Sequence, residues 1–154
     1  MVDLETYFRE SNAIEDVHDP QAIDEALEAW HYLDGLDELS HDVIKHAHEL
    51  LMRNRQPDLS GEYREVQVYV GDREPPAPAR VPYEMDALLE RDDPETGLEA
   101  LEWHVDFELI HPFRDGNGRV GRLLYLWHCR QIGIEPILWR AEDREGYYGL
   151  FRGR

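Results

Sequence analysis

The tightest constraint on this chain is the run Ile110-His111-Pro112-Phe113-Arg114-Asp115-Gly116-Asn117-Gly118-Arg119-Val120-Gly121-Arg122. Two glycines separated by one residue favour a turn whose successive backbone N–H groups converge as an anion nest. The apolar residues that follow, Val120, Leu123, Leu124 and Trp127, recur with helical period, so the turn opens into a helix N-terminus. Such a terminus carries unpaired N–H donors and roughly half a positive charge. Arg119 and Arg122 lie three apart in its first turns, where cations are disfavoured and repel one another. An anion explains them, and phosphate is the obvious one. Asp115 beside a phosphate calls for a divalent cation such as Mg²⁺ between the two. His111 is the nearby group that titrates near neutrality and could take a proton from an attacking hydroxyl.

The string resembles the signature of the Fic (filamentation) domain family, His-x-Phe-x-(Asp/Glu)-Gly-Asn-Gly-Arg-x-x-Arg, and every specified position matches. The resemblance implies a mainly α fold, a small helical domain with one β-hairpin flap. It also implies transfer of AMP from ATP to a Ser, Thr or Tyr hydroxyl of a target protein. In that reading His111 is the general base and Asp115 holds Mg²⁺. The nest of Gly116, Asn117 and Gly118 holds the phosphates, Arg119 neutralises the leaving phosphates, and Arg122 grips the γ-phosphate. The segment Arg144-Glu145-Gly146-Tyr147-Tyr148 resembles one whose aromatic, here Tyr147, flanks the nucleotide base. Residues 65–82, after Gly61-Glu62-Tyr63-Arg64, correspond to the flap that docks the target chain.

Many Fic proteins also carry an inhibitory helix of pattern (Ser/Thr)-x-x-x-Glu-(Gly/Asn), whose glutamate pairs with the second signature arginine. Ser11 and Glu15 match it, and Asp16 departs from it. The plainer reading of these residues is a short helix near 11–15, capped by Asn12 with Glu15 closing a capping box. Two other activities compete with AMP transfer. Phosphoryl transfer of the death-on-curing type uses a lysine where this chain has Gly118, and a nucleotide-sensing module needs neither His111 nor Asp115. Removal of AMP, performed by some family members with an inhibitory glutamate, stays open, as does a homo-oligomeric state.

At 154 residues the chain suits one domain. It divides into an N-terminal segment, residues 1–20, and the Fic-like domain, residues 21–154. The formal charge of −18 argues against nucleic-acid binding. No apolar run approaches a membrane span, and the first residues lack the pattern of a signal peptide. The lone Cys129 fits a reducing cytoplasm. An acidic surface whose only lysine is Lys45 suits a high-salt interior, where self-repulsion is screened.

Along the chain, helices are predicted over 21–33, after Ser40, over 83–89, over 98–110 with Leu98, Leu101, Val105 and Leu109 inward, and over 118–131. The β-branched alternation Val66 to Val70, followed by Gly71-Asp72, predicts a strand and turn, with the proline-rich 75–82 as an extended return arm. His41, His46 and His48 lie on the helix after Ser40 without zinc spacing and read as packing or solvated residues, as does His104.

Overall fold

The computed structural model describes residues 2–154 and is mainly helical. Its α-helices are α1 (Leu4–Ile14), α2 (Pro20–Asp34), α3 (His41–Met52), α4 (Val81–Leu89), α5 (Gly97–Ile110), α6 (Asn117–Ile132) and α7 (Arg144–Tyr148). Side-chain caps start four of them: Asp3, Asp19, Ser40 and Thr96 each accept from a backbone N–H of the first turn. Pro20 therefore opens α2 rather than breaking α1, as its fixed φ and missing N–H suit a first-turn position.

The centre of the molecule is α6. Every residue from Arg119 to Cys129 is buried, not only the apolar stripe, because α5, α2, α1 and α3 all pack on it. Its buried faces therefore include Arg119, Arg122, Tyr125 and His128, each needing a partner inside the protein or in a ligand. The core joins Tyr7 and Phe8 of α1 to Trp30 and Leu33 of α2, Ile44 and Leu51 of α3, Met85 of α4, Phe107 of α5 and Leu123 and Trp127 of α6. The Trp127 Nε1–H reaches the Leu33 carbonyl at 3.0 Å and ties α6 to the end of α2.

Three sequence expectations are corrected. The first helix runs from Leu4 to Ile14, so Asn12 sits in its last turn instead of capping its start. On α5 the expected inward face holds only in part: Val105 is buried, Leu101 and Leu109 are half-buried and Leu98 is exposed, while Ala100, Trp103, His104, Phe107 and Glu108 are buried as well. A helix covered on several sides loses the clean periodicity that would reveal its orientation. No β-strand forms among the described residues, and the expected hairpin flap reduces to one antiparallel bridge, Val70 to Arg73, around the turn at Gly71. The prolines at 75, 76 and 78 cannot donate to a ladder. Side chains hold this segment instead. Gln67 Nε2 donates to the carbonyls of Val68 and Pro75, and Arg64 to those of Val66 and Pro76.

Candidate active site

The loop between α5 and α6 is built by side chains from outside it. His111 ends α5 with φ of 52°, a left-handed conformation uncommon for a residue with a side chain. Arg64 fixes that turn: its Nε donates to the His111 carbonyl at 2.7 Å and its Nη2 to the Ile110 carbonyl at 3.2 Å. The Arg64 N–H adds a bond to the Pro112 carbonyl at 2.9 Å. Farther along, the Asn117 side chain closes a ring on Phe113, accepting from its N–H and donating to its carbonyl, both at 2.8 Å.

His48 supports the loop from below. Its ring stacks on Phe113 with centroids 3.8 Å apart, Nδ1 accepts from the Gly61 N–H, and Nε2 donates to the Asp115 carbonyl at 2.9 Å. Because a backbone N–H can only donate, Nδ1 is unprotonated and the proton sits on Nε2. Burial lowers its pKa further, so His48 stays neutral. Gly116 then turns at φ of 83° to start α6, packed against Met52 and His48 where no side chain fits. The first ladder bond runs from the Val120 N–H to the Gly116 carbonyl, so the N–H groups of Asn117, Gly118 and Arg119 have no partner within the helix.

The structure brings His111, Asp115, Gly116, Asn117, Gly118, Arg119 and Arg122 onto this one turn-and-helix unit. Burial first, then the Arg73 cation, push the His111 imidazole down to about 4, so it is neutral at physiological pH. The Asp115 side chain is exposed, with Oδ1 accepting from the Gly116 N–H and Oδ2 from Gln56 Nε2, both at 2.8 Å. Among the described residues no three His, Cys, Asp or Glu side chains gather in a metal-binding group. One carboxylate with free lone pairs does suit Mg²⁺, whose remaining ligands are commonly waters and substrate phosphates.

Helix α1 closes over the two arginines. Arg119 Nε donates to Asn12 Oδ1 at 2.9 Å. Arg122, 1% exposed, donates from Nε to Ser11 Oγ at 2.7 Å and from Nη2 to the Ser11 carbonyl and the Glu15 carboxylate. Glu15 lies directly over Gly118, so a Cβ there would run into its carboxylate. Asp16, the departure from the expected pattern, adopts φ of 57°. The Asp16 N–H bonds to Ala13 and the Val17 N–H to Asn12, which makes a Schellman motif. Glycine or asparagine suits that left-handed position best, and aspartate tolerates it. Tyr147 is buried beneath Arg122, whose guanidinium stands 5.1 Å above its ring, and pairs its hydroxyl with His104 Nε2 at 2.9 Å. Tyr148 is the exposed neighbour that also lines the cleft. That cleft, about 980 Å³, runs between Glu15, Gly118, His111, the turn at Val70–Glu74 and the C-terminal residues.

Residues 38–129 match the family model described as Fic/DOC family. The chain belongs to the Fic/DOC family. It is 37% identical over 123 residues to protein adenylyltransferase Fic of Nematostella vectensis, a match covering 75% of this chain and 27% of that protein. It is 33% identical over 118 residues to protein adenylyltransferase fic-1 of Caenorhabditis elegans, covering 73% and 23%. This Fic chain thus spans about a quarter of the length of those relatives. Two solved structures resemble it over most of its length. A Fic family protein from Desulfovibrio desulfuricans has a TM-score of 0.76 at 26% identity, covering 95% of this chain and 55% of that one. Residues 134–508 of Caenorhabditis elegans Fic-1 have a TM-score of 0.77 at 25% identity, covering 94% and 53%.

Within this Fic domain, sequence reasoning missed Arg64 and His48 as the supports of the signature loop. Arg64 had a weak signal, a lone arginine closing Gly-x-Tyr-Arg before the flap segment. His48 had none, because its role depends on a loop 67 residues away reaching α3. No helix among the described residues is long and apolar enough to cross a membrane.

Proposed function

We propose that this Fic domain transfers AMP from ATP to a hydroxyl of a target protein and is held in check by Glu15. The relatives named protein adenylyltransferase support the activity. The single observation that carries the regulation is the Arg122–Glu15 ion pair seated over Gly118, at the first turn of α6. A carboxylate there takes the place a γ-phosphate would need, so ATP would bind in an unproductive pose. Holding the competent state near roughly 1% takes only about 2.7 kcal/mol, which one partly buried carboxylate–arginine pair can supply.

In the productive pose the open N–H groups of Asn117, Gly118 and Arg119 would cradle the phosphates, and Arg119 and Arg122 would neutralise them. The neutral His111 would take the proton of the attacking hydroxyl, whose oxygen forms a bond to the α-phosphorus as pyrophosphate leaves. The negative charge of the bound nucleotide raises the imidazole from about 4 toward the working range of a base. Mg²⁺, held by Asp115 and phosphate oxygens, would supply further charge neutralisation. Gly118 disfavours the phosphoryl-transfer alternative, since a lysine there would collide with Glu15. Val70 to Glu74 border the cleft and would guide the target chain.

Incubation with ATP labelled at the α- or the γ-phosphate tests the reading. The Glu15→Gly protein should acquire α-label, on itself or on a target, far faster than wild type. Glu15→Gly combined with His111→Ala should acquire none while still binding ATP. Incorporation of γ-label would replace AMP transfer with phosphorylation, and wild-type rates after Glu15→Gly would remove the regulatory role.

A further inference from the structure

One buried carboxyl group in the cleft has no part in this mechanism. Glu108 lies one turn before His111 on α5, is 7% exposed, and lines the same cleft as Glu15, Arg73, His111 and Tyr147. Its Oε1 has no hydrogen-bond partner among the described residues. The carboxyl rests on α6 at Gly121, where an added Cβ would run into Oε1 and stand 3.0 Å from His104 Cε1. Gly118 is three residues earlier, hence on the same face of α6, and is covered in the same way by the Glu15 carboxylate. Two glycines therefore seat two carboxyl groups along one helix face. Arg122 pairs with the first and still has a buried Nη1 without a hydrogen-bond partner among the described residues. An unpartnered acceptor and an unpartnered donor thus border the wall against which the phosphates would lie.

We propose that Glu108 contacts the nucleotide as a neutral carboxylic acid, its O–H donating a hydrogen bond to a phosphate oxygen of a bound nucleoside triphosphate. The assignment rests on the nucleotide reading above and adds a specificity residue to it, one outside the signature. The surroundings keep the acid protonated. Burial pushes the Glu108 carboxyl up to about 8, with Glu15 adding to the rise while Arg122 and Arg73 oppose it. The titratable and charged groups around it are Glu15 at the end of α1, Arg73 on the turn, His104 and His111 on α5, Arg122 on α6 and Tyr147 on α7. When a phosphate displaces Glu15, it brings negative charge to the same place and keeps the proton on Glu108. An ionised Glu108 would repel the polyphosphate across a dry wall, whereas the acid meets it as a donor.

Calorimetric titration of the Glu15→Gly chain with MgATP tests this. Affinity should hold near neutral pH and fall as pH rises between about 7 and 9, because the unliganded acid must then be reprotonated on binding. Glu108→Gln in that background, with an amide that donates at every pH, should lose this pH dependence. Glu108→Leu should weaken binding about tenfold or more, the loss of one hydrogen bond to a charged group. A thermal melt should show both variants folded. A Gln variant with the parent's pH profile, or a Leu variant with the parent's affinity, would overturn the contact. Adenosine should bind without the pH dependence, and the same dependence with adenosine would overturn the phosphate assignment. Absence of any MgATP binding to Glu15→Gly would instead overturn the nucleotide reading, and this inference with it.

Discussion

Replacing His48 by Ala would remove a stacked ring from under Phe113 and strand two backbone groups, the Gly61 N–H and the Asp115 carbonyl. The cost should be about 2–4 kcal/mol, the size of a buried cavity combined with unsatisfied polar groups. A urea melt checks it. Transfer by His48→Ala in the Glu15→Gly background should also drop, because the loop carrying Asp115 loses its support. At this scale the sequence was most informative where neighbours in the chain are neighbours in space. His111, Asp115, Arg119 and Arg122 could be read together because a turn and one helix contain them all. Arg64, His48 and Glu108 could not, since each acts across a contact that only the folded chain creates. Tyr147, expected from the sequence to flank the nucleotide base, is a buried ring beneath Arg122.

Among the elements, α1 and α6 are the pair that matters. The Tyr7 hydroxyl donates to the Arg122 carbonyl at 2.7 Å, and Ser11, Asn12 and Glu15 follow along the same helix toward Arg119 and Arg122. Tyr7→Phe should therefore destabilise the protein by about 1 kcal/mol, read from the shift of a denaturant midpoint. Glu15→Gly leaves the buried Arg122 without its carboxylate. Its melting temperature without ligand should fall, and ATP should raise it by more than it raises that of wild type. Equal ATP-induced shifts in the two proteins would contradict the displacement of Glu15 by phosphate. Helix type was legible for α2 to α6 from apolar residues at helical spacing, with side-chain caps adding to it at α2, α3 and α5. The flap was not, since a β-branched run reads as a strand whether or not a partner strand exists. Here prolines occupy the return arm, and side chains from Arg64 and Gln67 take over the bonding.

For the whole molecule, charge and burial set the response to solvent. A net charge of −18 on 154 residues means strong self-repulsion, so the melting temperature should rise as KCl increases toward molar concentrations. Acid should act through buried histidines. Burial holds His104 at about 3 and His111 and His128 at about 4, against an ordinary value near 6.5. Their folded pKa values are depressed, so the stability they contribute is fully present above pH 6.5 and is lost as pH falls toward 4. Glu108, held up at about 8, works in the opposite direction, losing its contribution as pH rises from about 4.5 to 8. A series of urea melts from pH 7 to pH 4 should show a steep decline below 6.5. A flat profile would mean that these rings are already solvated.

Tyr7, Phe8 and Ile14 fix α1 in the core, while Glu15 lies just past the last helical residue. Freeing Arg122 would therefore not require the helix to undock, which would expose three core side chains. Rotation about the Glu15 side-chain bonds, or fraying of residues 15–17, would suffice, and such motions take nanoseconds to microseconds. A typical enzyme turnover takes about 0.1 s. The carboxylate would leave and return many thousands of times within each catalytic cycle. Throughput would then follow the fraction of time Arg122 is free, giving graded output, a dimmer instead of an on–off latch.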